Sequence, residues 1–240
     1  MIILPMLGRS SRFFNAGYSK PKFQLMLGDR SVFDRVTSSF VNYFENTPFL
    51  FLVRQDFDTV NFVSSEVVKL GIKDFRIIEF QHETCGQAES VYEGTLDYSG
   101  DISVTIFNID TIRHDFIMPL KEEMCDGLLE VFNADGNSWS FIKPGIGNDV
   151  LLTTEKNRIS DYCSNGLYVF SKLSDFRDAY KDHIDDQKKK VNGELYIAPL
   201  YNHLINKGKK IKYRLVEAEK IEHCGVPSDY ESLKKKLAGR

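Results

Sequence analysis

The first half of the chain alternates between two kinds of segment, and that alternation limits the fold more than any other feature. Runs of apolar and β-branched residues at 2–6, 49–53, 75–80 and 102–107 read as strands. Between them, 31–44, 56–70 and 87–98 read as helices. In the first of these, Val32, Phe33, Val36, Phe40 and Phe44 keep close to helical spacing behind Ser31, a good N-cap. Gly71 closes the second. Strands joined through helices pair in parallel, because a parallel pair needs a long crossover. The expected class is α/β: a Rossmann-like three-layer sandwich with a mostly parallel mixed sheet and a smaller β region in the second half.

That second half is less regular. Segments 128–132, 138–142, 150–154 and 166–170 read as short strands, with turn residues at 135–137 and 145–148. Helices are expected at 173–180, 195–205 and 228–237, with a strand at 211–216. The 240 residues, 42% hydrophobic and 27% charged, suit one soluble α/β domain over 1–240. A net charge of -3 argues against nucleic acid as a partner. No apolar run reaches the ~18 residues of a membrane span, and MIILPM has no basic residues before it, so neither a membrane partner nor a secretory signal is expected. Cys85, Cys125, Cys163 and Cys224 form no C-x-x-C and read as reduced thiols, which with the rest places the protein in the cytoplasm. The charged run 185–190 reads as a solvated loop. Whether the chain forms a homo-oligomer is not legible.

The stretch LGRSSRFFNAGYSKPK, residues 7–22, follows the first strand. In open α/β sheets ligands bind at the carboxyl ends of the strands. Gly8, Ser10 and Ser11 are small, so backbone N–H groups and hydroxyls can approach a ligand closely. Arg12 adds a forked cation and Lys22 a point charge. The combination suits a polyphosphate. It is not a P-loop, having no G-K-[ST] and no helix expected to open at Gly8, nor a G-x-G-x-x-G fingerprint, since Ser10 and Phe13 replace the later glycines.

Gly8, Ser11-Arg12 and Pro21-Lys22 resemble the G-x-G-[ST]-R and P-K signature of the sugar-phosphate nucleotidyltransferases, with Ser10 standing where that family usually has glycine. Further segments follow in the family's order. Gly86-Gln87-Ala88 resembles its G-x-A element near the nucleobase. Asp110, in F-N-I-D-T, stands where the family places a metal-binding aspartate. Glu155-Lys156 resembles its E-K-P element, with Asn157 in place of proline, and Gly166-Leu167-Tyr168-Val169-Phe170 its following strand. Gly193-Glu194 resembles an element that reaches acceptor hydroxyls, and Gly225-Val226-Pro227-Ser228-Asp229-Tyr230 its closing element. His223 occupies the position where many members carry a second metal-binding aspartate. MIILPM, G-Q-A-E-S-V and Trp139-Ser140-Phe141 look closest to a capsule-associated branch that includes a phosphoglutamine cytidylyltransferase.

The resemblance implies an enzyme that transfers a nucleotidyl group from an NTP to a phosphorylated small molecule and releases pyrophosphate. It implies 1–115 as a nucleotide-binding half and 116–240 as an acceptor-binding half, the smaller β region lying on the acceptor side. Leu7, Gly8, Ser10, Ser11, Gly86, Gln87 and Ala88 would bind the nucleotide. Arg12, Lys22 and Lys156 would carry the reaction, Glu155, Gly166 and Glu194 would meet the acceptor, and Asp110 would hold Mg²⁺ or Mn²⁺. The branch alone favours CTP as donor. Two alternatives stay open at this point: a nucleotide-sugar glycosyltransferase using N-I-D, and a catalytically silent nucleotide-binding module.

Overall fold

The computed structural model describes residues 1–184, 191 and 193–239; the charged run 185–190 lies outside the described residues. In chain order the elements are β1 (Ile2–Pro5), α1 (Ser11–Asn15), β2 (Met26–Leu27), β3 (Arg30–Ser31), α2 (Val32–Thr37), β4 (Phe49–Arg54), α3 (Thr59–Leu70), β5 (Phe75–Phe80) and α4 (Gln87–Gly94). They continue with β6 (Val104–Phe107), β7 (Thr111–Arg113), α5 (Lys121–Met124), β8 (Gly127–Asn133), β9 (Ser140–Pro144), β10 (Val150–Glu155) and β11 (Tyr162–Phe170). The last are α6 (Leu173–Ile184), α7 (Tyr201–Asn206), β12 (Ile211–Leu215), β13 (Ile221–His223) and α8 (Pro227–Ala238).

Among the described residues nine strands form one mixed sheet with the main order β10-β9-β11-β6-β1-β4-β5, β8 joining β11 and β12 joining β8. β1–β6 and β4–β5 pair in parallel, while β11 pairs antiparallel with β6, β8 and β9. This is the expected α/β class. Among the described residues no helix is long and apolar enough to cross a membrane, and the four cysteines are free thiols.

Residues group by contact into two compact units interleaved along the chain. Unit 1 holds Met1–Ile3, Glu83–Phe107 and Met118–Ala218; unit 2 holds Leu4–His82, Asn108–Ile117 and Glu219–Arg240.

In unit 2 the β4 residues Leu50, Phe51, Leu52 and Val53 are fully buried, which their uninterrupted apolar run requires of a central strand. The Ser31 side chain accepts from the Asp34 amide and caps α2 as expected, and the chain then tightens into a 3-10 helix over Ser38–Tyr43. Helix α3 begins three residues later than its apolar spacing suggests. Phe57 and Asp58 both adopt left-handed backbone angles, which interrupt the turn before Thr59.

In unit 1 the largest fully buried ring is Tyr201, stacked on Phe170 with centroids 4.4 Å apart. Its hydroxyl donates to the carbonyls of Val169 at 2.8 Å and Leu128 at 3.2 Å, so the polar end is satisfied inside the core. The helix expected over 195–205 is shorter: a 3-10 turn at Ala198–Leu200 leads into α7. Leu195 stays outside the helix: its amide donates to Cys85 and its carbonyl accepts from Ala88, leaving neither for a helical turn. β11 carries a register shift between Ser164 and Tyr168, and Gly166, at φ +89°, sits within it.

Candidate active-site residues

In unit 2 the loop after β1 turns at Ser10, whose backbone lies in the left-handed region at φ 52° and ψ 26°. Glycine enters that region freely, whereas an L side chain costs about 1 kcal/mol there. The serine hydroxyl does not cap α1; it accepts from the Lys22 amide at 3.1 Å. No helix opens at Gly8 itself; a short one opens three residues on, at Ser11. Gly8, Ser11 and Arg12 are exposed and Leu7 is half-buried. A Cβ on Gly8 would meet nothing within 4 Å, so the backbone there is open to approach. Arg12 stands on the first turn of α1 and takes no part in the Ser10–Lys22 contact.

Lys22 Nζ lies 2.6 Å from Asp110 Oδ2, and both side chains are half-buried. Asp110 occupies the turn between β6 and β7. Its carbonyl accepts from the Cys224 amide at 2.8 Å and from the thiol at 3.3 Å, fixing the turn to the end of β13. Burial alone would raise the Asp110 carboxyl; the charge and hydrogen bond of Lys22 outweigh it and hold the group below the usual carboxylate range. Burial pushes the Cys224 thiol up to about 12, so it remains protonated.

His223 pairs across β7–β13 with Thr111, its Nδ1 3.5 Å from the threonine hydroxyl. Burial lowers its pKa, against the partial pull of Asp110 and Asp229. Among the described residues no three His, Cys, Asp or Glu side chains gather as a metal cage. One ionised carboxylate at a strand end fits Mg²⁺ or Mn²⁺, which takes its other oxygens from phosphates and water.

In unit 1, Gly86 opens α4 at φ +131°. A Cβ there would lie 2.6 Å from the Leu195 carbonyl oxygen and 2.7 Å from its nitrogen, so only glycine lets the strands of chain pass. Leu195 donates to Cys85 at 2.6 Å and accepts from Ala88 at 3.1 Å. The Gly86-Gln87-Ala88 turn and the Glu194 segment are therefore laced together. Gln87 is half-buried on the first turn of α4.

β10 ends on Glu155. The Ser140 hydroxyl donates to Glu155 Oε2 and stands 3.5 Å from the Tyr168 hydroxyl. Burial raises the Glu155 carboxyl, opposed by Ser140 and Lys156. Lys156 is left-handed at φ 53°, its amide donating to Trp139 at 2.9 Å. Its Nζ donates to the Tyr196 hydroxyl, which donates in turn to Glu194 Oε2. The structure thus joins Lys156 to Glu194 through one phenol, and Ser10, Lys22 and Asp110 into a second chain of contacts. Gly166 lies buried within the β11 shift, outside both chains. Tyr196 is not singled out in the sequence, and Ser140 only within Trp139-Ser140-Phe141, as part of the branch resemblance and not as a site residue. The one signal for Tyr196 is its place two residues after Glu194, in Glu194-Leu195-Tyr196.

A scan of protein-family profiles and a search of curated sequences return no match to the chain. Among solved structures, a nucleoside-diphosphate-sugar pyrophosphorylase from Vibrio cholerae RC9 is 46% identical, with a TM-score of 0.92 over 98% of this chain and 100% of that one. An inositol-1-phosphate CTP transferase from T. maritima is 14% identical, TM-score 0.74, over 98% and 95%. A UDP-glucose pyrophosphorylase in complex with UDP-glucose is 13% identical, TM-score 0.78, over 99% and 98%. The last two share the fold alone.

Proposed function

The chain belongs to the nucleotidyltransferase family that includes the nucleoside-diphosphate-sugar pyrophosphorylases, and on that footing we propose that it joins an NTP to a phosphorylated small molecule and releases pyrophosphate. CTP is the favoured donor. The favoured acceptor is a sugar phosphate or a phosphoglutamine-like capsule precursor, both on the resemblance to the capsule-associated branch. The observation that carries the reading is the convergence of Ser10, Lys22 and Asp110 beyond β1.

An acceptor phosphate oxygen attacks the α-phosphorus, and the bond to the pyrophosphate oxygen breaks. The residues position and neutralise; no covalent intermediate with the protein is needed. Lys22 and Arg12 hold the triphosphate and offset the charge gathering on the leaving pyrophosphate. Leu7, Gly8, Ser10 and Ser11 line the triphosphate's path, and Gly86, Gln87 and Ala88 meet the base. Lys156 neutralises the acceptor phosphate, while Glu155 and Glu194 accept hydrogen bonds from the acceptor's body; Gly166 completes that side. Asp110 would hold Mg²⁺ or Mn²⁺, which when bound supplies charge neutralisation to the phosphates.

The test is melting temperature with CTP, UTP, ATP, GTP and dTTP, each with and without Mg²⁺ or Mn²⁺, followed by pyrophosphate release with hexose 1-phosphates and phosphoglutamine. A nucleotide at 100 times its Kd stabilises by about 2.7 kcal/mol. A metal-dependent shift with one nucleotide and pyrophosphate with one acceptor class are expected. A shift without pyrophosphate from any acceptor would mark a silent binding module. No shift with any nucleotide would overturn the reading.

A further inference from the structure

We propose that Tyr196 is a positioning residue that keeps Lys156 from collapsing onto Glu194, so that the ammonium meets the acceptor's phosphate; this rests on the acceptor role given to Lys156 above. Tyr196 lies outside the residues that the sequence motifs single out.

Lys156 holds a left-handed backbone that an L residue avoids unless its surroundings impose it. Two contacts hold it there: its amide on Trp139 at 2.9 Å and its Nζ on the Tyr196 hydroxyl, with the ammonium 4.5 Å from the Tyr196 ring centroid. The phenol has one proton and can accept as well as donate, and it uses both capacities, accepting from Lys156 and donating to Glu194. Its own place is set by Leu195, whose backbone is bonded on both sides to Cys85 and Ala88.

A neutral oxygen therefore stands between a cation and an anion that would otherwise pair directly. A direct Lys156–Glu194 pair would spend the positive charge, and an incoming phosphate would have to displace a carboxylate. With Tyr196 interposed, it displaces only a hydroxyl. Phenylalanine at 196 would keep the ring face and remove that spacer.

The test uses inorganic phosphate as the probe and amine acetylation of the whole protein, read at Lys156 by peptide mass spectrometry. Phosphate should protect Lys156 in the wild type. In Tyr196→Phe the phosphate concentration giving half protection should rise about fivefold, the scale of one neutral hydrogen bond. Adding Glu194→Gln to that variant should return it toward wild type, because the carboxylate that Tyr196 holds apart from the ammonium is then gone. A purely structural role for Tyr196 would not produce that rescue. CTP protection of Lys22, read in the same digest, should be equal in all three proteins and reports intact folding. Equal half protection in wild type and Tyr196→Phe, or no rescue in the double variant, overturns the proposal. Absence of phosphate protection of Lys156 in the wild type overturns the acceptor reading itself and the proposal with it.

Discussion

Lys22 Nζ and Asp110 Oδ2 lie 2.6 Å apart across 88 residues of sequence. The pair joins the lysine proposed to hold the triphosphate to the carboxylate proposed to hold the cation. It also keeps Asp110 ionised against its burial.

Replacing either partner should therefore cost more than its own contact. Lys22→Ala and Asp110→Ala should each slow pyrophosphate release by about 10²–10³, the scale of losing one preorganised charge-stabilising group. Near wild-type rates would remove both residues from the mechanism. The same pair sets an acid limit. A carboxyl held below its unfolded value adds stability that is present above the unfolded pKa and lost as pH falls through the folded one. Melting curves below about pH 4, the usual Asp range, should thus drop less steeply for Asp110→Asn than for the wild type.

Gly86 bears on both partners of the proposed reaction through Leu195. Its φ of +131° excludes an ordinary side chain, and a Cβ would strike the Leu195 carbonyl oxygen at 2.6 Å. The obstacle is backbone, so no rotamer change relieves it. Gly86→Ala should cost about 2–4 kcal/mol of unfolding free energy, by combined strain and overpacking. Denaturant titration reads this directly. A loss below roughly 0.5 kcal/mol, the size of a neutral surface change, would mean the turn yields without cost.

Glu155 should give the opposite pH signature to Asp110. Burial raises its carboxyl above the ordinary glutamate value. The folded state then binds its proton more tightly than the unfolded state, so stability falls as pH rises from the unfolded pKa through the folded one. In Glu155→Gln that decline should flatten, and above the folded pKa the variant should melt higher than expected from its wild-type behaviour at low pH. Melting temperature measured from about pH 4 upward, starting at the ordinary Glu range, checks the sign. Parallel curves for the two proteins would mean that Ser140 and Lys156 fully offset the burial.

The parts legible in the sequence were those whose cause is local. Ser31 caps α2 through its own side chain, Gly71 closes α3 in the left-handed region, and the apolar run of β4 declares its burial. What escaped was decided by partners distant in sequence. Leu195 fits a helical pattern, yet its backbone is taken by Cys85 and Ala88, more than 100 positions away. Phe57 and Asp58 look like the first turn of α3 but take left-handed angles that composition does not announce. At the candidate site, the motif spacing picked out Lys22 and Asp110, which the fold brings into contact, whereas Tyr196 matters through the two side chains it separates.

Asn202 closes the open side of β10, the end strand in the main sheet order. Its Oδ1 accepts from the Thr153 amide and its Nδ2 donates to the Thr153 carbonyl, both at 2.8 Å. The side-chain amide thus copies the pairing a neighbouring strand would offer, while the Thr153 hydroxyl donates to Ala198 at 2.6 Å. An uncovered strand edge is a template for pairing with another chain, and Leu151 and Leu152 beside it are exposed. Asn202→Ala leaves a buried amide and carbonyl without partners and should lower the unfolding free energy by about 1–3 kcal/mol. It should also promote self-association that grows with concentration, measured by sedimentation velocity. Asn202→Asp, which keeps an acceptor for the Thr153 amide but offers no donor, should fall between the two. A variant series in which alanine costs nothing would show that water replaces the amide, and the protection of β10 would then have to come from its short length.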